Sequence, residues 1–222
     1  MPSADALTVE VELPSGTMSL SHAWTPPTQG TVVVLAHGAG AGMDHPFLVG
    51  LADALHAHGL GTLRFSFPYR ESGRRLPGPA AHAIAAWRAA VAAVRTAAPE
   101  STIVAAGKSY GGRMASMAVA EGLEVDALVY LGYPLHPPGA PEKLRADHLP
   151  AIREPQLFIE GTKDPFIQPL DQFAEVIATC QRAEVAWVDG GGHSFDVAGE
   201  KRSADEAGAA LAPFVADFAA AL

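Results

Sequence analysis

The sequence predicts an α/β protein with a mostly parallel central sheet of about eight strands, an N-terminal antiparallel hairpin, helices on both faces and no large lid. Three observations predict it. Short β-branched runs alternate with longer helix-like segments along the chain, and this alternation implies right-handed strand–helix–strand crossovers. Several strand runs are continuously apolar, as in TVVVLA at residues 31–36, the pattern of a strand covered on both faces. Of the 222 residues, 49% are hydrophobic and 18% charged, so the chain has enough apolar side chains to fill a core.

The elements follow in order. Residues 7–13 (LTVEVEL) alternate with period two and predict a half-buried strand. Pro14-Ser15-Gly16 marks a turn, and residues 17–24 form its hairpin partner. After Pro26-Pro27 come the strand at 31–36, a helix over 46–58 and a strand over 61–67. A long Ala-rich helix covers 79–98, followed by a strand at 101–106, a helix at 110–122 and a strand at 125–131. Residues 133–154 are irregular and rich in proline, which marks an insertion over the top of the sheet. A strand at 155–160, a helix within 165–181, a strand at 183–188 and a closing helix over 204–222 complete the chain. There is no internal repeat and no linker-like break, so residues 1–222 read as a single domain. Only 133–154 is spare chain. That is too little for a helical lid and predicts an open or shallow site.

Composition narrows the function. Fifteen Lys and Arg against 24 Asp and Glu leave a net charge of −9. This balance argues against binding nucleic acid or an anionic membrane, both of which need an electropositive face. Cys180 is the single cysteine, so neither an intramolecular disulfide nor a zinc ribbon is available, and no His or carboxylate spacing predicts a metal site. Residues 1–7 carry no secretory signal and no run approaches a membrane span. The expectation is a cytoplasmic protein acting on a small molecule without metal or cofactor.

The chemistry centres on Gly107-Lys108-Ser109-Tyr110-Gly111, a G-x-S-x-G sequence between an apolar strand and a helix. That is the setting of a nucleophile elbow, a tight turn that lifts the serine hydroxyl above the sheet. A serine hydroxyl needs a base. His193, in the glycine-rich loop after the last strand, is the candidate. Asp164, on the turn after strand 155–160, is the candidate orienting acid, with Glu160 and Asp189 as rivals. An oxyanion hole takes two backbone N–H groups. The N–H of Tyr110 follows the serine, and Ala39 in the loop His37-Gly38-Ala39-Gly40-Ala41-Gly42 is chosen as the second. That loop lacks the Lys-Ser/Thr of a phosphate-binding loop.

Together these residues resemble the α/β-hydrolase superfamily over nearly the whole chain, and Ser–Asp–His is its triad order. The wording AHGAGAGMDHPF (36–47), FPYRESGRR (67–75), GKSYGGRMAS (107–116), GYPLHPPG (132–139), LRADHLP (144–150) and GTKDPF (161–166) is similar to one small branch. That branch includes testis-expressed protein 30 and a subunit of the non-specific lethal chromatin complex. A more distant similarity is to dienelactone hydrolases, which use cysteine where this chain has Ser109. The resemblance implies an α/β-hydrolase fold and the triad Ser109, Asp164 and His193. It implies no substrate, and the chromatin subunit keeps open a non-catalytic binding or scaffold role.

Arg70, Arg74 and Arg75, on the loop after strand 61–67, are candidates for binding an anionic substrate group, and His136 for lining the pocket mouth. Asp44-His45 reads as a brace for the neighbouring loop. The expected activity is a serine hydrolase, carboxylesterase-like, with thioester or amide cleavage less favoured. His193 is expected to titrate near its ordinary ~6.5, or a little above because of Asp164.

Overall fold

The computed structural model describes residues 7–222, so the secretory-signal reading of residues 1–7 falls almost wholly outside it. The strands are β1 (Glu10–Leu13), β2 (Gly16–Ser19), β3 (His22–Thr25), β4 (Thr31–Ala36), β5 (Gly61–Phe65), β6 (Thr102–Lys108), β7 (Ala127–Leu131), β8 (Gln156–Gly161) and β9 (Ala183–Val188). The helices are α1 (Pro46–Ala57), α2 (Pro68–Glu71), α3 (Ala80–Ala97), α4 (Tyr110–Ala120), α5 (Leu170–Thr179), α6 (Ala204–Ala209) and α7 (Ala212–Ala220).

The main sheet has seven strands in the order β3-β5-β4-β6-β7-β8-β9, with β3 antiparallel and the rest parallel. The sequence expectation of about eight strands is corrected here. The run expected as one strand over 17–24 divides at Leu20-Ser21. Leu20 is buried and its N–H donates to the Val9 carbonyl at 2.8 Å, whereas the Ser21 N–H donates to the Glu71 carboxylate at 2.9 Å. The first half therefore pairs with β1 as a separate two-stranded ribbon, and the second half becomes the antiparallel edge on β5.

The continuous apolar run of β4 is explained by its two faces. Val32, Val34 and Ala36 pack with Trp87, Ala90 and Met114 of α3 and α4, while Val33 and Leu35 pack with Leu48, Leu51 and Val215 of α1 and α7. Period-two side-chain alternation sends neighbours to opposite faces, so a strand sandwiched between helices needs apolar residues throughout. The expected closing helix is two helices, because Pro213 in the first turn of α7 lacks the N–H that would continue α6. Among the described residues, 133–154 holds one turn of 3-10 helix at Leu149–Ala151 and no lid helix. It folds down onto the α3–α4 side through buried Tyr133, Leu135, Leu149 and Ile152.

Candidate active site

Ser109 sits between β6 and α4 with φ 50° and ψ −112°, one of two non-glycine residues at positive φ among those described. Backbone strain of this kind persists only where the surroundings over-determine it. Here the surroundings are close-packed backbone. A Cβ on Gly111 would lie 2.6 Å from the Ala36 carbonyl oxygen, and one on Gly112 would lie 2.6 Å from that of Gly107. Glycine at both positions lets α4 descend onto β4 and β6. Trp87 locks the junction by donating its indole N–H to the Gly111 carbonyl at 3.1 Å.

The loops after β8 and β9 converge on that serine. The Lys163 N–H donates to the Gly191 carbonyl at 2.9 Å, and a Cβ on Gly161 would overlap Gly191. With the loops in contact, His193 Nδ1 lies 2.6 Å from Asp164 Oδ2, and His193 Nε2 lies 2.8 Å from Ser109 Oγ. Asp164 is fully buried, and its other oxygen accepts the Phe166 N–H at 2.8 Å. The rival acids point elsewhere: Glu160 accepts the Tyr133 N–H at 2.6 Å, and Asp189 accepts from the Thr162 hydroxyl at 3.3 Å. Phe166 covers the His193 ring with centroids 4.1 Å apart. Burial lowers the His193 pKa below its ordinary value, with the nearby Lys108 charge acting the same way and the Asp164 hydrogen bond opposing. The expectation of a value at or above 6.5 is corrected by that burial.

A cavity of about 420 Å³ opens at Ser109 and His193, bounded also by Gly38, Ala39, Tyr110, Phe47 and Leu48. The two chosen oxyanion residues, Ala39 and Tyr110, thus share its wall with the serine. The loop bearing Ala39 is fixed by His37, which is fully buried. Its Nδ1–H donates to the Gly38 carbonyl at 2.8 Å and its Nε2 accepts the Phe67 N–H at 3.2 Å. Burial holds the His37 pKa down at about 4, so the ring is neutral and keeps this one tautomer.

Two buried titratable groups lie near the triad residues. Lys108 donates to the His193 carbonyl at 2.7 Å, and burial lowers its pKa to about 8 against the pull of Asp164, Glu160 and Asp196. Burial raises the Glu160 carboxyl well above the usual carboxylate range.

The structure does not bring the candidate binding residues to this cavity. Arg70 borders a separate surface hollow beside Gly42 and Glu71, and donates to the Arg74 carbonyl at 3.3 Å. Arg74 and Arg75 are exposed, and neither borders the Ser109 cavity. His136 is fully buried, donates from Nδ1 to the Pro137 carbonyl at 2.8 Å, and is not among the residues lining the cavity. The loop folds back through α2, and Pro137 draws the imidazole inward. Asp44 pairs with Arg64 at 3.2 Å, whereas His45 accepts the Phe47 N–H at the start of α1 and borders the cavity. Arg113 and Arg145 line the cavity instead, and sequence reasoning missed both. Arg113 had a readable signal, since four residues after Ser109 is one helical turn on the same face. Arg145, in the irregular stretch, had none.

The chain matches a protein-family model described as "Alpha/beta hydrolase domain" over residues 29–220. Among solved structures, it is similar to a dienelactone hydrolase from Anabaena variabilis, with TM-score 0.73, 23% identity and coverage of 95% of this chain and 94% of that one. It is also similar to a protein from Xanthomonas campestris described as an α/β serine hydrolase without a lid, with TM-score 0.66, 20% identity and 88% coverage of each chain. A third likeness is to Est1E from Butyrivibrio proteoclasticus with ferulic acid bound, with TM-score 0.65, 15% identity and coverage of 96% and 98%.

Proposed function

The chain belongs to the alpha/beta hydrolase domain family, and from that premise we propose that it is a serine hydrolase cleaving small carboxylic esters. One observation carries the reading: a single imidazole is within hydrogen-bond distance of both a strained serine hydroxyl, at 2.8 Å, and a buried carboxylate, at 2.6 Å. Ser109, His193 and Asp164 are the triad of this proposal. The Ala39 and Tyr110 N–H groups are its oxyanion hole.

The reaction follows from those positions. His193 Nε2 takes the Ser109 proton as Oγ bonds to the acyl carbon. The carbonyl oxygen becomes an oxyanion against the two N–H groups at the head of α4 and the Ala39 loop. His193 then protonates the leaving alcohol and an acyl-serine remains. Water enters, gives its proton to His193 and bonds to the acyl carbon. The acid departs as Ser109 regains its proton. A His193 pKa below the ordinary value favours the neutral base near neutral pH. The small cavity supports short acyl groups, and the sequence similarity to the testis-expressed protein 30 branch supports the same triad positions.

A fluorophosphonate probe tests this reading, together with a series of nitrophenyl esters of increasing acyl length. Labelling at Ser109 that disappears in His193→Ala, and esterase turnover that falls by about 10³-fold or more in Ser109→Ala, are the expected results. Folded protein that takes no label and cleaves no ester supports the scaffold role instead.

A further inference from the structure

Arg113 and Arg145 both line the cavity that holds Ser109, and with Lys108 they give its wall three cationic side chains. No carboxylate is among the residues lining it. The chain as a whole has nine more acidic than basic side chains, so the shortage of acid here is local. Among the described residues, neither guanidinium takes part in an ion pair or a side-chain hydrogen bond. Arg113 Nε is buried without a partner. Arg145 lies close enough for the Arg113 charge to lower its pKa, so the two repel. A buried guanidinium N–H left unpaired is costly, and a second guanidinium beside it adds to that cost.

Both residues are held in place. Arg113 rises from α4 one turn after Ser109, with its N–H on the Ser109 carbonyl at 3.1 Å. Its own carbonyl accepts the Ser116 hydroxyl at 2.8 Å, which in turn meets His148 at 2.7 Å. The Arg145 backbone donates to the Leu135 carbonyl at 2.8 Å and accepts the Tyr133 hydroxyl at 2.9 Å.

We propose that Arg113 and Arg145 form an anion-recognition subsite, and that the ester cleaved at Ser109 carries a carboxylate or phosphate group. Each guanidinium presents several N–H donors in a fixed plane, and the pair matches the oxygens of either oxyacid. Phe47, Leu48 and Ala41 supply apolar wall for the intervening hydrocarbon. The proposal rests on the hydrolase reading for its substrate and on the arginine pair for its charge.

Monomethyl adipate and dimethyl adipate test it, because they share a chain and differ by one negative charge. The wild-type protein is expected to prefer the charged ester by about tenfold or more in kcat/KM. Arg113→Gln and Arg145→Gln are each expected to lose about tenfold more on the charged ester than on the neutral one, chiefly through KM. Arg113→Lys is expected to retain part of the preference, and Arg202→Gln, outside the cavity, to keep all of it. Equal rates on the two esters in the wild-type protein, or equal losses on both in the arginine variants, overturn the proposal.

A binding arm needs no turnover. Calorimetric titration of Ser109→Ala with hexanoate and with pentyl phosphate is expected to give binding that disappears when Arg113→Gln is added. The tighter of the two identifies the oxyacid. No binding of either anion overturns the proposal even if esters are cleaved. Binding without any serine-dependent cleavage overturns the hydrolase reading alone.

Discussion

His37 and His193 lie in loops that follow strands on either side of Ser109; His37 is fully buried and His193 partly so, and both use two ring nitrogens. Their partners differ. His37 bonds to two backbone groups, Gly38 C=O and Phe67 N–H. His193 faces a carboxylate and a hydroxyl. Neither backbone group titrates near neutral pH, so His37 is a neutral crosslink between the Ala39 loop and the β5–α2 turn. His193 lies between a group that stabilises its cation and a group whose proton it can take. A histidine's role in this fold is therefore decided by what its nitrogens meet and not by its burial.

The largest expected effect separates the two on activity. His193→Ala should lower kcat by about 10³-fold or more with little change in melting temperature, since it removes the proposed base and leaves its loop anchored by Gly191 and Gly192 backbone bonds. Asp164→Asn should approach that loss, because an amide does not fix the same tautomer. Kinetics with short nitrophenyl esters check both. A His193→Ala protein that keeps its rate breaks the comparison at its catalytic end.

The next effect falls on stability. His37→Ala leaves the Phe67 N–H without a partner, at a cost of about 1–3 kcal/mol, leaves the Gly38 carbonyl with only the Ala41 N–H at 3.2 Å, and removes the ring's packing on Phe67. Urea denaturation should show a loss of roughly 3 kcal/mol, with a smaller fall in kcat than for His193→Ala. An unchanged unfolding midpoint would remove the brace from His37.

Much of this arrangement was legible in the chain. The strand-to-helix turn at Ser109 was, because the strand, the glycines and the helix start around it lie in one short stretch. Asp164 and His193 were, because their loops follow the last two parallel strands, and such loops gather at one edge. The seven-strand count was not legible, since the break at Leu20-Ser21 depends on Glu71, fifty residues away. The turn of α2 that withdraws Arg70 from the cavity, and the fold of residues 133–154 that brings Arg145 to it, are tertiary events with no local signature. His37 was read only as part of a glycine loop, because a brace made to backbone leaves no residue pattern.

The same pair separates along the pH axis. His193 titrates below its ordinary ~6.5 because it is buried, so kcat/KM should rise with pH around a midpoint lower than that and level off above it. His37 governs stability. Its folded value of about 4 lies under the ordinary 6.5, so the unfolded chain binds more protons between them. Its contribution is fully present above 6.5 and is lost as pH falls, by about 2 kcal/mol at pH ~5. His148, also lowered to about 4 by burial and by Arg113, acts in the same direction. Urea midpoints at pH ~7 and ~5 check the stability slope, and initial rates over the same range check the activity midpoint. A stability that rises on acidification would mean that His37 is charged in the fold.

The smallest effect concerns the acid that does not reach His193. Glu160 is fully buried and its carboxyl pKa is pushed up by that burial, although Lys108 lies near enough to oppose the shift. One of its oxygens accepts the Tyr133 N–H at 2.6 Å, and an amide oxygen can accept that bond equally well. Glu160→Gln is therefore expected to change stability by less than about 1 kcal/mol, since it replaces a carboxyl that burial already biases toward neutrality. Its kcat should fall by less than about threefold. Asp164→Asn makes the same chemical change one loop away, where the oxygen does face His193. A Glu160→Gln loss as large as that of Asp164→Asn would mean that the two acids act as one charged unit with Lys108. A near-neutral result leaves orientation of His193 to Asp164 alone.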